Sequence, residues 1–218
     1  RAKAQKVIVV MFGGSPIAFQ EVFDMADAVL WVWYPGQEGG HAVADIIFGD
    51  AVPSGRLPLT FPKSIDDLPP YEDYNMIGRT YRYMEKEPLF PFGFGQSYTT
   101  FAYSDIVLDR KKIKKGESVR ASVTVKNTGT FKAEEVVQLY LKDIEASVVV
   151  PQISLKGFQR VSLWPRESKT VSFDITPELM TIVNNDGERI LEKGDFKIFI
   201  GGSAPTQRSL DLGAARWS

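Results

Sequence analysis

The chain has 218 residues, of which 44% are hydrophobic, 24% charged and 12% aromatic, with a net charge of −1. That length allows roughly one to two domains at about 150 residues each, and the composition is too apolar and aromatic for disorder. With no cysteine, one histidine and no strong charge bias, disulfides, thiolate chemistry, multi-histidine metal sites and general attraction to nucleic acid or anionic membrane are all disfavoured, which leaves mostly carboxylate chemistry.

The N-terminal stretch shows neither an initiator Met nor a signal peptide. Val7–Phe12 is a continuous apolar run, which predicts a strand buried on both faces of a parallel sheet. A Gly13–Pro16 turn follows, then helical spacing over Ile17–Ala26. Ala28–Trp33 predicts a second buried strand, Tyr34-Pro35-Gly36 a turn, and Gly40–Phe48 a helix with Ala44, Ile47 and Phe48 on one face. Apolar strands alternating with helices imply a parallel α/β arrangement.

Residues 63–100 are rich in Pro, Tyr, Phe and Gly. Their prolines and glycines forbid long regular elements. Yet Tyr71, Tyr74, Tyr81, Tyr83, Phe90, Phe92 and Phe94 are too many aromatics for a floppy linker, so an ordered connector is expected, clamped onto its neighbours.

From Phe101 the period becomes two. Val119, Ala121, Val123 and Val125 alternate with Arg120, Ser122, Thr124 and Lys126. Val137, Leu139 and Leu141 alternate with Val136, Gln138 and Tyr140, and Val171–Ile175 and Phe196–Ile200 repeat the pattern between Gly- and Asn-rich turns. About seven short strands predict an antiparallel sandwich, fibronectin-III-like because no Cys–Trp–Cys pattern is present. Charge divides unevenly, with 8 Lys/Arg against 12 Asp/Glu in residues 1–97 and 18 against 15 in residues 98–218. The one basic run (Arg110, Lys111, Lys112, Lys114, Lys115) lacks interleaved aromatics and reads as a solvated hairpin.

Few residues suggest chemistry by themselves. Ser15 lacks the G-x-S-x-G elbow and would need the lone His41 as its base. Gly36, Gly39 and Gly40 lie between a strand and a helix, but not in dinucleotide spacing, and no P-loop lysine follows. Glu38 sits where open α/β sheets place ligands, and equally where a helix start takes a carboxylate. Asp45, Asp50, Asp66, Asp67, Glu72 and Asp73 show no spacing that sets them apart from surface charge.

The motifs say more. YPGQEGGHAVADIIFGDAVPSGRLPLTFP (Tyr34–Pro62) closely resembles a signature of glycoside hydrolase family 3. So, in order, do GRTYRY (Gly78–Tyr83), PLFPFGFGQSYTTF (Pro88–Phe101), VKNTG (Val125–Gly129), EEVVQLYLKD (Glu134–Asp143), LKGFQRV (Leu155–Val161) and GDFKIFIGGSA (Gly194–Ala204). The resemblance implies three regions. Residues 1–62 would be the C-terminal part of the family's α/β sandwich domain, residues 63–100 the connector, and residues 101–218 an all-β fibronectin-III-like sandwich. It implies retaining hydrolysis of terminal β-linked sugars, with β-glucosidase first and β-xylosidase next. It implies no metal or organic cofactor and export to the periplasm or medium, while the near-neutral charge and the lack of an apolar run near 20 residues lead to no expectation of a nucleic-acid partner or membrane span. An N-terminal (β/α)8 barrel carries the family nucleophile, and the acid/base glutamate lies before the strand matched by Val7–Phe12. No catalytic residue is therefore carried across, and Glu38 does not correspond to the acid/base. Trp31, Trp33 and Tyr34 are candidate sugar-stacking residues, although their place in or beside a buried strand favours core packing. The chain is expected to be one complete sandwich plus the tail of an α/β domain that begins elsewhere, because typical sheets have about five or six strands. Its expected partners are the barrel part of the same enzyme and a glycoside substrate. The alternative is a non-catalytic β-sandwich module that binds carbohydrate or a partner.

Overall fold

The computed structural model describes residues 2–218. Strands β1 (Ile8–Met11) and β2 (Ala28–Trp31) pair in parallel, with Val9 opposite Val29 and Met11 opposite Trp31. Helix α1 (Gln20–Met25) crosses between them. It begins three residues later than its spacing predicts, because Phe19 adopts a non-helical backbone (φ −142°, ψ 38°) and its ring is buried in the core. β2 likewise stops short of Trp33, whose φ of 54° is left-handed and incompatible with a continuing strand. Helix α2 (Gly39–Phe48) ends at Gly49 with φ 87°, the left-handed C-terminal glycine that terminates many helices.

The apolar face expected of α2 is not covered. Ile47 is exposed and Phe48 is 82% exposed. Two parallel strands offer too little sheet to bury it. Ile8, Phe12, Ile17 and Met25 are exposed nearby in the chain.

Residues 57–61 pair with 89–94: Leu57 N–H donates to the Phe94 carbonyl, Phe61 N–H to Phe90, and Gly93 N–H back to Leu57. This pairing carries Phe61 and Leu89 into a core shared with Phe19, Trp31, Trp33 and Phe90. Its rings meet at 5.0 to 6.4 Å, largely edge to face, as aromatic quadrupoles prefer. A 3-10 turn, Ile65–Asp67, is closed by a reciprocal Ser64–Asp67 capping box, and α3 (Thr80–Tyr83) follows.

Seven strands then form two facing sheets. One holds β3 (Phe101–Tyr103), β4 (Val107–Leu108), β5 (Val119–Asn127) and β8 (Ser168–Ile175); the other holds β6 (Ala133–Asp143), β7 (Ser154–Leu163) and β11 (Phe196–Gly201). A small hairpin, β9 (Ile182–Val183) with β10 (Arg189–Ile190), lies between β8 and β11 in the chain, and α4 (Gln207–Asp211) follows β11. The inward set is the one the alternation predicts: Val119–Val125, Val137, Leu139, Leu141, Val171, Phe173, Ile175 and Ile200. Asn127 is fully buried at one corner. It accepts from Thr99 Oγ1 and Gly129 N–H and donates to the Phe131 and Leu163 carbonyls, so no polar atom of its amide is wasted.

One strand departs from the expected pattern. Val136, Gln138 and Tyr140, on the supposed outer face of β6, are as buried as the inner face. The connector covers them, with Tyr81 and Phe92 stacked at 4.2 Å and both edge-on to Tyr140.

Truncating Leu139 to Ala is expected to lower unfolding free energy by about 2–5 kcal/mol, and truncating exposed Phe158 by about 0.5 kcal/mol or less. Urea denaturation of the two variants measures both; similar losses would contradict this placement of the core.

Candidate functional site

Two regions bear most directly on the sequence-predicted site residues and on how the segments are joined. The first is the loop face at the carboxyl ends of β1 and β2, where open parallel sheets present ligand-contacting loops. The Gly13 N–H donates to the Trp33 carbonyl at 3.3 Å, tying the Gly13–Pro16 turn to the turn after β2. Trp31 and Trp33 belong to the aromatic core, whereas Tyr34 is 80% exposed beside them. Of the three candidate stacking residues, Tyr34 is the exposed one, while Trp31 and Trp33 are partly buried against the aromatic core. Glu38 caps the start of α2 without a side-chain bond to its backbone and is paired with His41 Nδ1 at 2.7 Å, both exposed. His41 is thus engaged with Glu38, and Ser15, exposed on its own turn, shares no hydrogen bond with it. The nucleophile–base arrangement does not form.

The remaining carboxylates have structural duties. Asp67 is held low by the Ser64 N–H and by Lys86, and Asp73 by the Asn75 backbone and side chain. Asp66 accepts from Ser64, while Asp45, Asp50 and Glu72 lie exposed. Tyr71 and Tyr74 are 88% and 89% exposed on the same loop as Asp73, so these two connector aromatics clamp nothing within the chain. No group of three or more His, Asp or Glu side chains able to hold a metal occurs among the described residues.

The second region is a buried polar brace. Arg56 reaches from the segment after α2 to Glu135, which shares the inward parity of Val137 and Leu139 on β6 and meets Tyr103 of the opposite sheet. Its Nη2 donates to both Glu135 oxygens at 2.9 Å, and its Nε donates to the Gly202 carbonyl. Both side chains are over nine-tenths buried. Glu135 also accepts from the Val136 N–H. Burial pushes the Glu135 carboxyl up, and Arg56 pulls it back down. Tyr103 sets its hydroxyl in the same enclosure; burial first, then the neighbouring Glu135 charge, drive its ionisation far above the ordinary range. Next along β6, Gln138 donates to the carbonyls of Gly93 and Gly202 and accepts from the Tyr140 hydroxyl. Gly93 is required there. Its φ is 76°, and a Cβ would sit 2.1 Å from Gln138 Oε1. Gly95 is as constrained, with the Gly55 carbonyl 2.2 Å from where a Cβ would stand.

The brace escaped sequence reasoning because Arg56 and Glu135 look like surface charges 79 residues apart. The available signal was VVQLYL, six β6 residues without a charge on either face, which is how a doubly covered strand reads.

Comparison with known proteins fits this geometry. Residues 1–98 match the glycosyl hydrolase family 3 C-terminal domain, and residues 135–204 match the fibronectin type III-like domain. The chain belongs to glycoside hydrolase family 3 and carries its C-terminal region. It is 40% identical to a periplasmic beta-glucosidase of Salmonella typhimurium over 213 residues, covering 92% of this chain and 28% of that protein. It is 41% identical to a beta-xylosidase of Formosa agariphila over 203 residues, covering 91% and 28%. The structure of beta-glucosidase 3B from Thermotoga neapolitana in complex with alpha-D-glucose superposes with a TM-score of 0.82 at 36% identity, over 91% of this chain and 30% of that one. The chain therefore spans little more than a quarter of the length of these curated relatives. Within the family's C-terminal region, Arg56 lies in the first matched segment and Glu135 opens the second, so the brace fastens the two together.

Arg56→Met is expected to cost about 3–5 kcal/mol by stranding a buried carboxylate, while Arg56→Met with Glu135→Leu recovers most of it. In the single variant the folded-state pKa of Glu135 lies further above its unfolded value. Its contribution is then favourable in acid and lost as pH rises through the folded pKa, so the deficit grows from acid to neutral pH. Denaturation of the wild type, both single variants and the double variant across pH measures the coupling; independent single-variant costs would refute the brace.

Proposed function

We propose that this chain is the C-terminal part of a retaining, exo-acting β-glycosidase, acting first on β-glucosides and next on β-xylosides. In this reading it supplies a wall of the sugar cleft and a rigid mount for that wall, and the catalytic carboxylates come from the rest of the enzyme. The carrying observation is the family membership combined with the uncovered apolar surface of the α/β segment, from Ile8, Phe12 and Ile17 to Phe48. Such a surface suits further strands and helices of the same layer, and beyond them the barrel that bears the chemistry.

The carboxylates here support the division of labour. Retaining hydrolysis needs one ionised carboxylate and one protonated acid flanking the glycosidic oxygen, about 5–5.5 Å apart. The groove between the connector and the sandwich, described below, contains one carboxylate, Asp143. A shallower hollow carries Asp109, Glu117 and Asp174, but Asp109 and Asp174 are held low by hydrogen bonds from Arg120 and cannot serve as proton donors near neutrality. Tyr34 and the Gly13–Pro16 turn would then face sugar rather than attack it.

Export follows from the same reading, in keeping with the periplasmic relative. No helix among the described residues is long and apolar enough to cross a membrane.

The purified 218-residue chain is expected to release no nitrophenol from nitrophenyl β-glucoside or β-xyloside above background. Turnover by the chain alone would overturn the assignment of the carboxylates to another part. A longer protein carrying the chain with barrel and complete α/β domain is expected to turn over both, the glucoside faster.

A further inference from the structure

A groove of about 380 Å³ runs between the connector, the β6–β7 sheet and the β9–β10 hairpin, at the small end of the ~300–1,000 Å³ range of small-molecule sites. Three cations from distant parts of the chain line it: Arg82 on α3, Lys156 on β7 and Arg189 on β10. None of them forms an ion pair within the chain among the described residues. The nearest engagement is Arg82, whose guanidinium lies 5.8 Å over the Tyr81 ring with its Nε 3.4 Å from that hydroxyl. The only carboxylate on the wall, Asp143, accepts from the Glu145 N–H. Lys156 is half-buried, and burial followed by repulsion from Arg82 and Arg189 lowers its pKa. Two exposed arginines beside a partly dehydrated lysine leave a local excess of positive charge that a bound anion would offset.

The rest of the lining narrows the class of anion. Val150, Leu155 and Ile182 give an apolar floor, while Ser154 and Thr181 add hydroxyl groups beside it. Two guanidinium forks suit a planar carboxylate, which they can engage in bidentate fashion. An apolar floor with flanking hydroxyls suits the C–H face and hydroxyl groups of a sugar ring. We propose that this groove is a binding site for a carboxylate-bearing sugar unit, a uronate, held on the fibronectin-III-like sandwich apart from the loop face of the α/β segment. Such a site would anchor the enzyme to acidic glycan chains whose neutral ends it trims. The proposal does not rest on which part of the enzyme holds the catalytic carboxylates, so either can fail without the other.

The test is titration calorimetry of the 218-residue chain at low salt with four probes: oligogalacturonides, glucuronate-bearing xylo-oligosaccharides, neutral xylotriose and inorganic sulfate. At least one uronate probe is expected to bind about tenfold or more tightly than xylotriose and sulfate, and to weaken as salt is raised. Lys156→Met keeps the packed methylenes and removes a repelling charge, so it is expected to fold as well as the wild type, yet to lose about tenfold in uronate affinity. Lys156→Arg is expected to retain most of that affinity. Four outcomes would overturn the proposal: no binding by either uronate probe, equal binding of xylotriose, sulfate binding as tight as uronate (which would leave a bare oxyanion site), or uronate binding indifferent to Lys156→Met in a folded variant.

Discussion

Everything in this chain turns on an ion pair buried between its two kinds of architecture. Arg56 belongs to the segment that leaves the parallel strands, and Glu135 to the central strand of the sandwich. Burying two charges is costly, and a pair of this sort contributes little net stability compared with apolar residues of the same size. What it contributes is direction. The guanidinium must meet both Glu135 oxygens and the Gly202 carbonyl together, so only one placement of the α/β segment on the sandwich satisfies it. The glycines sharpen the constraint, since Gly93 and Gly95 let backbone approach where any side chain would collide. Apolar packing alone tolerates sliding, whereas a satisfied polar network does not.

From that constraint follows the double burial of β6. Its inner face is the core of the sandwich; its outer face, through Gln138 and Tyr140, is the seat of the connector. Burial, with Tyr81 beside it, keeps the Tyr140 phenol neutral at any physiological pH, so the hydroxyl is a permanent donor to Gln138. The connector is therefore part of two cores at once. Phe90 and Phe61 join it to the aromatic core under β1 and β2, and Tyr81 and Phe92 join it to the sandwich. A loop face mounted on such a connector is held rigidly relative to the sandwich, which a wall of a binding cleft requires.

Much of this is legible in the sequence. The two apolar runs of β1 and β2, the period-two strands and the punctuating glycines describe side-chain environments directly, and those environments are what fold class depends on. The element ends were less legible, because Phe19 and Trp33 take their conformations from ring packing across the chain rather than from neighbours in it. The outer face of β6 misled for a related reason: Gln138 and Tyr140 look like solvent-facing residues and are in fact satisfied by each other and by Gly93. The cationic groove was invisible, since residues 82, 156 and 189 are brought together only by the return of β7 past α3 and the small hairpin. The basic run at 110–115, by contrast, was conspicuous in sequence and assembles nothing comparable.

The ionisation of the acids follows from the same local hydrogen bonding. Asp67, Asp73, Asp109, Glu167, Asp174, Glu178 and Glu192 are all shifted downward, chiefly by hydrogen bonds from nearby backbone or side-chain donors. Such carboxylates stay ionised and serve as caps and turn anchors. A general acid needs the opposite environment, enclosed and poorly solvated so that its proton is kept until the leaving group takes it. Among the described residues with a clear shift, Glu135 is the carboxyl raised in that way. It is gripped through both oxygens by Arg56 and enclosed with Tyr103 and Gly202, out of contact with solvent. The enclosure that elsewhere would make a proton donor here holds two pieces of protein together.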